Sequence, residues 1–187
     1  VLFSPSEGPR AYFAKYGWLN AGTDPLKLPN SETLWTADSQ GPLTPEKPIV
    51  LTWDNGEGAI FRRTLAIDDS YMLTVSEDVD NKSSSAITLR SFALLYRLGT
   101  PKTTGGVLHE GLIGVPGDEG LQEIAYSAAI SDGTKLFSEK KGGWLGISDL
   151  YWASALIPDQ TAGYDATFQG KSGAAKDQEF YTVDYTL

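Results

Sequence analysis

Short apolar runs with a period of two, cut apart every few residues by Gly, Pro, Asn and Asp, constrain this chain more than any other feature. Tyr71, Leu73 and Val75 alternate with Met72, Thr74 and Ser76; Ile49, Leu51 and Trp53 alternate with Val50 and Thr52. Phe61, Leu65 and Ile67 share one face, opposite Arg62, Thr64 and Ala66. Successive side chains of extended backbone point to opposite sides, so this alternation predicts half-buried strands. Asp54-Asn55-Gly56-Glu57-Gly58 predicts a hairpin turn, and Asp68-Asp69-Ser70 another turn. Residues 86–98 are apolar on both faces (Ile87, Leu89 and Leu95 against Phe92, Leu94 and Tyr96), which suits a central strand covered on both sides. Further short strands are expected at 121–126, 134–138, 143–149, 151–157, 163–168 and 179–186. Pro116-Gly117-Asp118 and Asn81–Ser85 read as turns, and Lys171–Lys176 as a loop. No window sustains a period of 3.6.

Prolines at 5, 9, 25, 29, 42, 45 and 48 exclude a long helix from residues 1–48. Apolar islands there, such as Tyr12-Phe13, Tyr16–Leu19 and Leu34-Trp35, are expected to dock on the core. With 187 residues, 41% of them hydrophobic, one globular domain over 1–187 is expected. The pattern as a whole gives an all-β fold, an antiparallel sandwich or barrel with little helix. A net charge of −9 repels phosphate backbones, which speaks against nucleic acid as a partner. The chain has no cysteine, so disulfides, thiolate metal sites and Cys nucleophiles are excluded; this composition is compatible with a periplasm. No apolar stretch approaches the roughly 20 residues that span a bilayer. The opening Val1-Leu2-Phe3 is already strand-like and carries no basic-plus-apolar leader, so the chain reads as a fragment of a longer protein.

The residues that carry chemistry are few. His109 is the one histidine. It could pair with Glu110 or Asp118 as an acid–base couple, but a place at a strand end, satisfied by a backbone carbonyl, is the expected reading. A zinc site wants three or four ligands. Glu110, Asp118, Glu119 and Glu123 are the densest carboxylates near an apolar segment, yet their spacing places no glycosidase pair. Asp68-Asp69 and Glu77-Asp78-Val79-Asp80 lack the spacing of a calcium loop and read as solvated turns. Gly105-Gly106 and Gly142-Gly143 have no phosphate-loop context and read as hairpin turns. No catalytic, metal or cofactor-binding residue is therefore expected, and no cofactor. Trp18, Trp35, Trp53, Trp144 and Trp152 could form a sugar-stacking platform, but core packing is the expected role.

The densest apolar run is Gly142–Pro158, with two tryptophans, a tyrosine and branched aliphatics between a Gly-Gly turn and a proline. Trp144 and Trp152 are expected to be mostly buried, with Leu145, Ile147, Leu156 and Ile157 in the same core. Along 151–157 the pattern puts Tyr151, Ala153, Ala155 and Ile157 on one face, and Trp152, Ser154 and Leu156 on the other.

The segment from Gly143 to Gln160 resembles the large periplasmic domain of the bacterial YidC-type membrane protein insertase. Three further pieces resemble it in the same order: Leu2-Phe3-Ser4-Pro5 with Tyr12-Phe13-Ala14; Leu51–Gly56; and Gly99-Thr100-Pro101-Lys102-Thr103 leading to Leu108–Gly114. The likeness spans nearly the whole chain. It implies a β-supersandwich of two large antiparallel sheets, on the periplasmic face of the inner membrane, in a protein that assists insertion and folding of membrane proteins. It implies a non-enzymatic domain that meets Sec accessory subunits and membrane-protein substrates. The family usually has a further strand pair before the Phe-Ser-Pro segment and a short helical segment after the last strand, and Leu150 stands where lysine is common. An exposed sheet edge left by absent strands would permit weak edge-to-edge self-association. A second reading, a carbohydrate-binding module or aldose-epimerase-like sugar-active protein, draws on the aromatics and scattered carboxylates. Epimerase chemistry wants several histidines, which weighs against it.

Overall fold

The computed structural model describes residues 3–102, 106, 108–173 and 178–187. Gly105 of the expected Gly105-Gly106 turn and the last part of the expected Lys171–Lys176 loop lie outside these. The described residues form thirteen strands and one helix, and their strands pair antiparallel. The all-β sandwich expected from the alternation is what the chain adopts. The strands hydrogen-bond in three sheets, and they group into two compact units: residues up to Tyr16 with those from Phe92 onward, and Gly17–Ser91. The division cuts β1 (Tyr12–Asn20) after Tyr16 and β6 (Leu89–Leu98) after Ser91.

The second unit is the simpler. Strands β2 (Thr36–Ala37), β3 (Ile49–Asp54), β4 (Ala59–Ile67) and β5 (Leu73–Asn81) form a meander in chain order. The predicted 54–58 turn joins β3 to β4. Asn55 is buried there: its side-chain carbonyl accepts the amides of Glu57 and Ala59, and its amide donates to the Lys27 carbonyl. A buried polar group satisfied in this way costs little and fixes the turn. Phe61 and Ala59 from β4 are fully buried against Trp18 of β1, with Trp35, Trp53, Val79 and Leu89 closing the cluster. Burying a side chain of that size stabilises the unit by about 1.5–3 kcal/mol.

β5 runs on to Asn81, so the expected solvated turn at 77–80 is a strand instead. Its acids face cations on β4 in register, Arg62 opposite Asp78 and Arg63 opposite Glu77. The acidic run looked like a loop because its partners lie on another strand, where cross-strand charge pairs stabilise a sheet.

The first unit is a sandwich. One sheet has the order β1-β6-β13-β12-β9, with β9 Lys135–Lys141, β12 Gly163–Lys171 and β13 Phe180–Thr186. The other has the order β11-β10-β7-β8, with β7 Gly111–Pro116, β8 Gln122–Ala125, β10 Gly143–Ser148 and β11 Ala153–Leu156. Leu95, Phe168, Tyr181 and Val183 from the first meet Leu112, Leu145, Ile147 and Leu156 from the second in one core. β6 lies between β1 and β13, the central place expected for 86–98.

The expected strand 121–126 ends at Ala125, and a helix, α1 (Tyr126–Ser131), follows. Six residues are too few to display a 3.6 period, which is why the pattern hid it. Tyr126 and Ala129 enter the core, and Gly170 of β12 lies under Ala129, where a Cβ would come within 2.8 Å of its backbone. Gly143 opens β10 at φ +86°, and a Cβ there would fall 1.8 Å from the Val115 carbonyl, so the predicted Gly-Gly turn is required by both conformation and space.

The Gly142–Pro158 run divides. Leu145, Ile147 and Leu156 are in the core as expected, and β11 alternates as predicted, with Ser154 and Leu156 inward and Ala153 and Ala155 outward. Trp144 is half-buried. Trp152 and Ile157, expected in the core, are 54% and 51% exposed. Trp152 shares the parity of Ser154 and Leu156, but it precedes β11 in a turn, where parity no longer sets depth.

Candidate functional site

The sequence candidates do not converge. The Nε2–H of His109 donates to the Leu112 carbonyl at 3.2 Å, the strand-end role expected of it. Glu110 accepts the Leu150 amide at 3.0 Å. Asp118 and Glu119 hold Lys140 at 3.4 and 2.5 Å on the turn after β7. Glu110 and Asp118 flank β7 at opposite ends, about 20 Å apart by the rise of a six-residue strand. Glu123 is exposed on β8, opposite Ile113. Asp68 accepts the amides of Ser70 and Met72 and so builds its own turn. Among the described residues no group of three His, Cys, Asp or Glu side chains is placed to hold a metal ion. Of the tryptophans, Trp18 is buried and stacks on Trp35, and Trp53 packs on Phe61.

Sequence reasoning missed a polar network in the first unit, at the end of the sandwich where β10 turns into β11. Arg97 of β6 grips Asp149 with two bonds, Nη2 to Oδ2 at 2.8 Å and Nε to Oδ1 at 3.2 Å. Its Nη1 donates to the Gly99 carbonyl at 3.1 Å. The Tyr126 hydroxyl donates to Asp149 Oδ1 at 2.6 Å. The guanidinium lies against the rings of Tyr12 and Tyr126, at 5.5 and 5.6 Å. The Tyr12 hydroxyl meets Ser154 Oγ at 2.6 Å. Burial, and then the bond to Asp149, push the Tyr126 phenol well above its ordinary range, so it stays protonated and can donate a hydrogen bond but not take up a proton. Burial likewise raises Tyr12. The signal for this network was thin, because its members lie far apart in the chain.

The network fixes the Asp149–Trp152 turn. The Asp149 amide donates to the Trp152 carbonyl at 2.7 Å, the Trp152 amide returns to Asp149 at 3.4 Å, and Glu110 holds the Leu150 amide. Three backbone donors are satisfied while Tyr151 stays 81% exposed and Trp152 half out. Beside the turn, an open cleft of about 450 Å³ is lined by Pro9, Arg10 and the segment from Arg97 to Lys102.

Two further groups stand out. In the second unit Arg63 bonds Glu77 at 2.5 Å and lies between the rings of Trp18 and Trp35, at 5.5 and 5.3 Å. Burial raises the Glu77 carboxyl, while Arg63 pulls the other way. In the first unit, burial pushes Asp184 of β13 up to about 6, with the Thr167 hydroxyl opposing. A lone acid within the apolar Phe180–Tyr185 alternation was the available signal for Asp184.

These geometries brace and position. Comparison with known sequences agrees with the resemblance read from the motifs. The family model of the YidC periplasmic domain matches residues 1–187. The chain is 50% identical over 186 residues to a membrane protein insertase YidC of Methylobacterium nodulans, 94% of this chain and 30% of that protein. It is 45% identical over 188 residues to one of Bradyrhizobium diazoefficiens, and 40% identical over 187 residues to one of Rhizobium johnstonii. These alignments take in 100% and 99% of this chain, and 30% of each relative. The chain therefore spans a little under a third of the length of the relatives it matches. With a family match from its first residue to its last and an all-β sandwich to go with it, the chain belongs to the YidC periplasmic domain family.

Proposed function

We propose that this chain is the periplasmic part of a membrane protein insertase of the bacterial inner membrane, acting as one non-catalytic domain over 1–187. Its role is to scaffold and support the folding of inserted proteins. The observation that carries this reading is the family match over the full chain, joined to relatives of 40–50% identity that are named insertases. The partners of the whole protein would be its membrane-protein substrates and Sec accessory subunits.

Weak self-association through an exposed edge belongs to the same reading. β11 (Ala-Ser-Ala-Leu) is an uncharged edge strand, whereas the β9 edge carries Lys135, Glu139, Lys140 and Lys141. The test is site-specific photo-cross-linking in the full-length protein from exposed positions on both units. Adducts with Sec accessory subunits or nascent membrane proteins are expected. Their absence from every position, with the full-length protein active, would overturn the partner assignment.

A further inference from the structure

Leu150, Tyr151 and Trp152 are consecutive, exposed and held out on a turn in which the amides of Asp149, Leu150 and Trp152 are hydrogen-bonded. A turn can be polar at no cost, so three large apolar side chains on one require an account. Trp and Tyr combine an apolar body with a polar tip and favour places where one end is dry and the other wet.

The charge beside them points the same way. In a chain of net charge −9, the adjoining cleft presents Arg10 and Lys102, both exposed and neither paired with a carboxylate among the described residues. Arg97 links the two features, since it lines the cleft and grips Asp149 at the base of the turn. Of the acids at the turn, Asp149 is engaged by Arg97 and Glu110 by the Leu150 amide.

We propose that the Leu150–Trp152 turn and the Arg10/Lys102 cleft together dock onto an anionic lipid surface, the aromatics entering the headgroup region and the two cations taking lipid phosphates. A second copy of the chain fits less well. Two aromatics and a leucine would bury about 500 Å², short of the roughly 800 Å² per partner that a stable interface uses. The Arg97 clamp and the bonded amides of Asp149, Leu150 and Trp152 give the turn what insertion needs, a braced backbone with most of its donors satisfied.

The inference rests on the reading that places the chain beside a membrane. The 187-residue chain would be tested by flotation with vesicles of phosphatidylcholine alone and with about a quarter phosphatidylglycerol. Preferential flotation with the anionic vesicles is expected, weakening as salt rises from about 50 to about 300 mM. Y151S/W152S should reduce binding at least tenfold, and R10Q/K102Q by on the order of fivefold for each cation removed. M72S, on an exposed turn of the other unit, should leave it unchanged. Circular dichroism and thermal melting check that each variant is folded.

No flotation with either vesicle, or flotation that Y151S/W152S leaves intact, overturns the proposal. So does concentration-dependent dimerisation that Y151S/W152S abolishes, which would assign the patch to a second copy. Vesicle flotation scores no insertion, so its failure is distinct from failure of the insertase reading, which would appear in the cross-linking of the full-length protein.

Discussion

Arg63 and Arg97 occupy similar surroundings in different units. Each lies between two aromatic rings, each is held by a carboxylate, and each is largely buried. They differ in what they join. Arg63 and Glu77 are register partners on adjacent strands, whose backbone ladder holds them together regardless. Arg97 and Asp149 are 52 residues apart and join a strand of one sheet to a turn leaving the other. The same chemistry is a rung in one place and a brace in the other. Only the brace has a turn with exposed aromatics at its far end.

Removing each arginine in turn separates the two roles. Arg97→Met should cost about 4 kcal/mol, because Asp149 would be left buried without its cation. Arg63→Met should cost less, about 2 kcal/mol, since the Glu77 carboxyl, already raised by burial, can take up a proton. Urea unfolding of both variants checks the order; equal losses would show that the Arg97 pair braces nothing that the strand ladder does not. Arg97→Met should also alter protease cleavage at the Asp149–Trp152 turn, and Arg63→Met should not.

Asp184 gives a smaller effect of opposite sign. Its folded value, about 6, lies above that of an unfolded aspartate, so the folded state holds this proton more tightly. The contribution is fully present below about pH 4 and is lost as pH rises through about 6. After allowance for solvent screening it amounts to about 1 kcal/mol. Asp184→Asn should therefore raise stability at pH 7.5 and flatten its pH dependence between 4 and 7. A variant less stable than the parent at pH 7.5 would show that the ionised carboxylate is itself a stabilising partner.

Alternation was enough to place most of the strands, because period two directly reports which side of a strand is dry. It failed where a residue's surroundings come from distant sequence. Glu77, Asp78 and Asp80 read as a turn until Arg62, Arg63 and Lys82 are brought beside them. Tyr126 read as strand because one short turn of helix is packed by β12 rather than by its own pattern. The resemblance implied two large sheets, and the described strands hydrogen-bond in three. Trp152 shows the limit most clearly: its parity was right and its depth was not, since the chain turns at Asp149 before β11 begins. Of the candidate site, His109's backbone role was legible, while the Arg97 network was not, because sequence carries no distance between β6 and the β10–β11 turn.

Trp152 also offers the most direct test that the turn is a surface rather than part of the core. Trp152→Ala would be compared with Leu156→Ala, its neighbour of the same parity, by urea unfolding of the 187-residue chain. Leu156, buried in the core, should cost about 3 kcal/mol, and Trp152 no more than about 0.5 kcal/mol. A loss of about 3 kcal/mol at Trp152 would contradict the account and return the whole run to the core.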